Sequence, residues 1–216
     1  LMNDFLPYIS QNLDGILFSL KYFLPELVLI VMFVAVIVAD LFVPKRHNSV
    51  VFWIALLSIF LVTFLSSQQL GFIKQPVYLF HNMIVLDRLG IAFKLIFGVV
   101  SFLFILFIKS NKPLCEHKKG TGDLYMILLA VQLGLHLMAM ASDLLMIFVS
   151  IEMVSIGSYL MVGYLAGDNK QTEASMKYVL FGSVCSAVML YGMSLLYAFT
   201  GTLNIFSPQF INNLTQ

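Results

Sequence analysis

Apolar residues run through this chain in long continuous stretches that do not alternate with polar positions. A helix needs about 20 such residues to cross the hydrocarbon core of a bilayer. Inside that core no water satisfies backbone N–H and C=O groups, so spanning segments are helices or the strands of a closed barrel, and barrel strands alternate. The pattern therefore predicts an all-α, polytopic membrane protein with six transmembrane helices, at 22–43, 50–68, 88–109, 124–142, 143–166 and 173–199. Between the second and third lies GFIKQPVYLFHNMIVLD, whose Pro76 and mixed polarity predict an interfacial loop with a short hairpin. The tail GTLNIFSPQFINNLTQ is amphipathic and too short to cross. The sharpest break is LAGDNKQTEAS, where Gly167, Asp168 and Asn169 supply a turn and Thr172 an N-cap for the sixth helix.

Composition agrees with this class. Of 216 residues, 60% are hydrophobic and 11% charged, with a mean hydropathy of +0.95, more apolar surface than a soluble domain can hide. The lipid bilayer is thus the first partner. A net charge of +1 spread over loops, without a basic block, offers nothing to nucleic acid. The distribution of that charge sets orientation. The odd loops carry Lys45, Arg46, Lys109, Lys112, Lys118, Lys119 and Lys170, the even ones Lys74 and Arg88. By the positive-inside rule the odd loops face the cytoplasm, or an organelle's matrix or stroma, and the amino terminus faces the other side. The first twenty residues hold Asp4 and Asp14 without a basic n-region or cleavage site, and are not expected to act as a cleavable signal peptide. Cys115 and Cys185 lack the number and spacing of a metal site or a disulfide framework and read as free thiols.

Polar side chains inside the spans are the candidates for chemistry. Glu152, in IFVSIEMVSIGSYLMVGY, lies nine residues after Asp143 and sixteen before Asp168. At 1.5 Å per residue that is roughly 13 Å and 24 Å from the two ends. A charged carboxylate near a helix centre costs about 2.5–3.5 kcal/mol even on a lenient insertion scale. Two readings are open. Glu152 is a neutral acid bonded to a neighbouring helix, or it is a protonatable site, since desolvation favours its neutral form and an approaching cation its charged form. Lys177, five residues after Thr172, either snorkels and pairs with Glu173 at i, i+4 or serves a relay. Gln132, His136 and Asp143 fall on one helical face; His136 suits proton transfer, although an interhelical hydrogen bond to its neighbours explains it as well. Lys94 is expected to snorkel near Arg88, Asp40 to pair with Lys45 and Arg46, and Glu26, after Pro25, to complement a helix dipole. Gly182, Ser183, Ser186, Ala187 and Gly192 give the sixth helix a small-residue face for close packing.

The order EMVSIGSYLMVGY, polar loop, EASMKYVLFGSVCSAVMLYGMSLLYAFTGTLNI resembles subunit N of the proton-pumping NADH-quinone oxidoreductases (respiratory complex I), an antiporter-like membrane subunit family. The likeness is strong over residues 143–205; LPELVLIVMFVAVIVADLF resembles that family's first helix, and the middle agrees in hydropathy alone. Ile151 stands where the related L- and M-type subunits usually carry an aromatic, which favours subunit N. In one departure, Gly157 precedes Ser158 and Tyr159 where the family commonly reads Pro-Ser-Tyr.

The resemblance implies proton-relay roles for Glu152 and Lys177; His136, by its own chemistry, is a secondary relay candidate. It implies a whole fold of roughly fourteen helices with inverted repeats bearing lysine-carrying broken helices. On that reading residues 1–123 form an amino-terminal region with three spanning helices, and 124–216 the truncated start of the first repeat, also with three. It further implies partner membrane subunits, with FMN, iron-sulfur clusters, NADH and quinone held in other subunits and no cofactor or metal in this chain. The membrane implied is the bacterial inner (plasma) membrane, with the amino terminus non-cytoplasmic, or an organellar inner membrane. A subunit of a multisubunit cation/proton antiporter and a structural membrane subunit are the alternatives.

Overall fold

A computed structural model of the protein describes residues 2–42, 49–111, 114, 121–164 and 169–215, with side chains from residue 12 onward except that of residue 169. The expected helical architecture is present. Helix α1 covers Met2–Tyr22, α2 Leu24–Phe42 and α3 Ser49–Phe72; strands β1 (Val77–Leu79) and β2 (Ile84–Leu86) follow. Then come α4 (Arg88–Ser110), α5 (Gly122–Met140), α6 (Leu144–Val162), α7 (Asn169–Thr200) and the short α8 (Pro208–Leu214). Six of these, α2 to α7, are long and apolar enough to cross a membrane.

Three boundaries differ from the sequence reading. Helix α1 extends through a stretch for which no helix is expected, and a turn at Phe23 joins it to α2. Helix α7 begins at Asn169, so Thr172 lies inside its first turn and is not the N-cap; residues 165–168, including Gly167 and Asp168, fall outside the described set. Helix α5 ends at Met140, which takes Asp143 off its face. Asp143 instead caps α6, accepting a hydrogen bond from the Leu145 N–H at 2.8 Å. A carboxylate oxygen there satisfies one of the donors that a helix start leaves unpaired.

The interfacial loop is a hairpin, with β1 and β2 antiparallel and Val77 opposite Leu86. Its turn places Phe80, His81 and Asn82 at φ of 49°, 57° and 65°, left-handed backbone that only tertiary contacts hold for bulky residues. Those contacts are specific. The Phe80 N–H donates to Ser19 Oγ at 3.1 Å, and the Asn82 carbonyl accepts from Ser142 Oγ at 2.6 Å and Asn204 Nδ2 at 3.1 Å. Leu79, Ile84 and Leu86 point down onto Ile73, Ile91 and Met140, making an apolar cap at this end of the bundle.

Below the cap, α2, α3, α4 and α5 share a core through Leu29, Val36, Ile59, Val62, Ile105 and Leu129. Small residues bring the helices close: a Cβ at Gly98 would fall 2.2 Å from Thr63 Oγ1, and one at Gly157 2.2 Å from Val131 Cγ2. Gly157 therefore serves the crossing of α5 and α6, and α6 runs unbroken through it. On α7 the small-residue face is used in part: a Cβ at Gly182 would lie 1.9 Å from Tyr159 Oη, whereas Gly192 has nothing within 4 Å.

Candidate functional site

Glu152 sits in the middle of α6, eight residues after its start. Its residue surface is half-buried, but Oε1 is shielded from solvent and has no hydrogen-bond partner among the described residues. The helices cross tightly beside it, since a Cβ at Gly134 of α5 would stand 3.0 Å from Met153 Cβ and 3.3 Å from the Ser150 carbonyl. Among the described residues no neighbouring helix bonds this oxygen.

Lys177 lies a few turns along α7, about two-thirds exposed, and pairs with Glu173 one turn before it. The i, i+4 pairing is therefore present. Asp40 lies against the start of α5, where a Cβ on Gly122 would meet its carboxylate; Lys45 and Arg46, its expected partners, are outside the described residues. Just beyond the end of α6, burial first, then the carboxylates of Asp123 and Asp40, push the Tyr164 hydroxyl up to about 12. Among the described residues no cluster of three His, Cys, Asp or Glu could hold a metal, and Cys185 is an exposed free thiol.

A buried polar assembly among the described residues joins side chains that lie far apart in the sequence. Lys94 does not snorkel: it is 0% exposed, with Nζ 2.7 Å from Glu26 Oε1, itself 0% exposed. Glu26 is therefore a buried counter-ion, not only a complement to a helix dipole. The same Oε1 accepts from His136 Nδ1 at 3.1 Å. On the other side of the ring Gln132 Nε2 stands 2.9 Å from His136 Nε2, and Ser101 Oγ donates to Gln132 Oε1. Because the amide oxygen is taken by the hydroxyl, the amide N–H donates to the ring. His136 then carries its proton on Nδ1, and the chain of donors runs Ser101, Gln132, His136, Glu26.

Three spans supply this network from similar depths. Glu26 is two residues into α2, Lys94 six residues into α4 and His136 four residues before the end of α5. At 1.5 Å per residue those offsets are about 3, 9 and 6 Å, all at the end closed by the hairpin cap. The signal in the sequence is the coincidence of depth: opposite charges and a histidine at matching distances from the same side of the membrane. Helix rotation, which decides whether they meet, is not written in any single span.

Comparisons with known proteins bear on the family. Residues 141–214 match the family model described as NADH:quinone oxidoreductase/Mrp antiporter, TM. Over 86% of its length the chain is 36% identical to NADH-quinone oxidoreductase subunit N 2 of Chloroherpeton thalassium, covering 36% of that protein. Over 94% it is 35% identical to subunit N of an Anaeromyxobacter species, covering 38%. The chloroplastic NAD(P)H-quinone oxidoreductase subunit 2 of Mesostigma viride is 34% identical over 87% of the chain, which covers 35% of it. The chain thus spans somewhat more than a third of the length of these curated relatives.

Among solved structures, respiratory complex I from Thermus thermophilus with bound Aureothin contains a chain that superposes with a TM-score of 0.70 at 22% identity. The superposition covers 88% of this chain and 42% of that one, and it is a likeness of fold. A chain of the archaeal membrane-bound sulfane sulfur reductase superposes at 0.72 with 26% identity, covering 84% and 38%. With six apolar spans among the described residues, the chain is similar over most of its own length to part of subunit N of the NADH-quinone oxidoreductases, and residues 141–214 match the family model shared with Mrp antiporters.

Proposed function

We propose that the chain works within a proton-translocating membrane subunit of an NADH-quinone oxidoreductase, with Glu152 as the carboxyl that takes and releases protons inside the bilayer. The observation that carries this reading is the shielded, unpartnered Oε1 of Glu152 on a span inside the residues that the family model matches. A carboxyl left without a partner in a low-dielectric setting responds strongly to charge: a cation brought near holds it ionised, and withdrawal of that cation lets it take a proton. Movement of charge along the membrane becomes movement of protons across it. Lys177 is the proposed relay cation on α7, reached when it leaves Glu173. His136 is the secondary relay group.

In this reading the redox energy comes from partner subunits that hold FMN, iron-sulfur clusters, NADH and quinone, and this chain supplies only titratable side chains. The bilayer is the bacterial inner membrane, with the odd loops cytoplasmic. Residues 1–123 act as an amino-terminal membrane region and 124–216 as the start of an antiporter-like repeat. A second reading, a subunit of a cation/proton antiporter without redox partners, is favoured by the description of the matching family, which includes Mrp antiporters.

The test is Glu152→Gln in the complete subunit, assembled in its complex and reconstituted in vesicles. Acidification driven by NADH and quinone, followed with a pH-sensitive dye, should drop while assembly is retained, because the amide keeps size and hydrogen bonding but cannot titrate. A variant that assembles and pumps like wild type sinks the relay. A pump that runs on a cation gradient and ignores NADH supports the antiporter reading instead.

A further inference from the structure

The network of Glu26, Lys94, His136, Gln132 and Ser101 is built from side chains each no more than 4% exposed, and it includes two groups with unused capacity. Glu26 Oε2 is buried without a partner among the described residues, and Lys94 Nζ, 2.7 Å from Oε1, keeps donors to spare because an ammonium has three. A plain strut would not look like this. A carboxylate and an ammonium pair with each other without help, and a well-packed apolar pair of the same volume often stabilises a buried site as well or better.

What the additional residues contribute is a place for a proton. With the Gln132 amide N–H₂ turned toward the ring, His136 Nε2 is an acceptor. If the Gln132 amide turns over, its oxygen faces Nε2 and its N–H₂ faces Ser101, whose hydroxyl accepts as readily as it donates. Nε2 can then carry a proton and donate it to the amide oxygen. The imidazolium has its counter-charge in place, because Glu26 has two oxygens and two cations can divide them: His136 on Oε1 and Lys94 on the unpartnered Oε2. No covalent bond between heavy atoms changes; one proton from water adds to the Nε2 lone pair, and Glu26 remains a carboxylate throughout.

The surroundings leave few other charges to interfere. The electrostatic partners of His136 are Glu26 on α2 and Lys94 on α4. Helix α3 carries no charged residue, and the only one on α6 is Glu152. At the near end Asp87 and Asp143 cap helices through the N–H groups of Gly90 and Leu145, and Arg88 Nε donates to the Ile73 carbonyl. The apolar cap of Leu79, Ile84, Leu86 and Met140 stands between the network and that end.

We propose that Glu26, Lys94 and His136 form a second proton-binding site, distinct from Glu152, in which His136 takes the proton, Glu26 is its counter-charge and the Gln132–Ser101 pair is the hydrogen-bond switch that admits it. The inference rests on the reading of the chain as part of a proton-translocating subunit. It adds a site on α2, α4 and α5, outside the residues that the family model matches.

The assay is the ratio of protons moved to NADH oxidised, measured from acid to alkaline pH in vesicles holding the assembled complex. His136→Gln, which keeps a neutral hydrogen-bonding side chain, should assemble and lose the part of the ratio that changes between about pH 5 and 8, where an imidazole titrates. The double variant Glu26→Gln with Lys94→Met removes both charges together, and it too should assemble while losing that pH-dependent part. If either variant assembles with the wild-type ratio and pH profile, the network is a strut and the inference is overturned. If neither assembles, the network belongs to folding and the inference is overturned as well. Glu152→Gln, run in parallel, separates the two claims: loss of pumping there with wild-type behaviour in the network variants leaves the function reading standing and removes only this one. Wild-type vesicles that do not acidify on NADH and quinone overturn both.

Discussion

A lysine two turns into a spanning helix has two ways to keep its charge out of hydrocarbon: its stem reaches the interface, or a carboxylate meets it inside. Lys94 is held by the second and Lys177, on the rim of α7, by neither alone, since Glu173 pairs with it in the open. The two should respond differently to truncation. Lys94→Ala strands Glu26 as an uncompensated buried charge, a defect of about 3–5 kcal/mol, whereas Lys177→Ala breaks an exposed pair and should change stability little. Thermal denaturation of the complete subunit in detergent ranks them, and equal midpoints for the two variants contradict the burial argument. Tyr164 gives a pH dependence outside the spans. Its folded pKa, about 12, lies above the ordinary value of 10.0, so its contribution to stability is full below about pH 10 and is lost as pH rises toward 12. Tyr164→Phe should remove that part of the alkaline decline; an unchanged alkaline limb in the variant argues against it.

At the scale of elements, contacts decide what propensity leaves open. Gly157 stands where α6 crosses α5, and the space a side chain would need is filled by Val131 of α5. Gly157→Leu should separate α5 from α6 and destabilise the chain by about 1–3 kcal/mol, the usual cost of overpacking. Adding Val131→Ala should recover part of the loss, because it removes the methyl groups in the way. A double variant no better than the single one would place the defect elsewhere. The hairpin makes the same point. Its alternating apolar residues are visible in the sequence, but the left-handed run at Phe80, His81 and Asn82 is tolerated only because Ser19, Ser142 and Asn204 hold the backbone.

For the whole molecule the testable quantity is topology. The charge asymmetry of the loops predicts that positions 47 and 112 face one side and position 76 the other. Cysteines placed singly at the three positions, in a background without Cys115 and Cys185, should react with an impermeant reagent from the cytoplasmic side at 47 and 112 and from the opposite side at 76. Labelling of all three from one side overturns the arrangement.

The six spans were legible because the bilayer imposes length and apolarity on each segment separately, a constraint that acts along the chain and needs no partner. Glu152 stands out as a candidate for the same reason: a carboxylate in the middle of such a segment contrasts with its own neighbours. The extent of α1, the end of α5 at Met140 and the meeting of Glu26 with Lys94 and His136 were not legible. Hydropathy fixes how deep a residue lies and says nothing of the angle at which its helix faces the others. The rotation of α2, α4 and α5 about their axes is set by which small and large side chains interlock across the core, a property of pairs of helices. Read alone, Lys94 is a residue close enough to the interface to escape the membrane; packed, it is turned inward, and its stem lies in the core with its charge on Glu26.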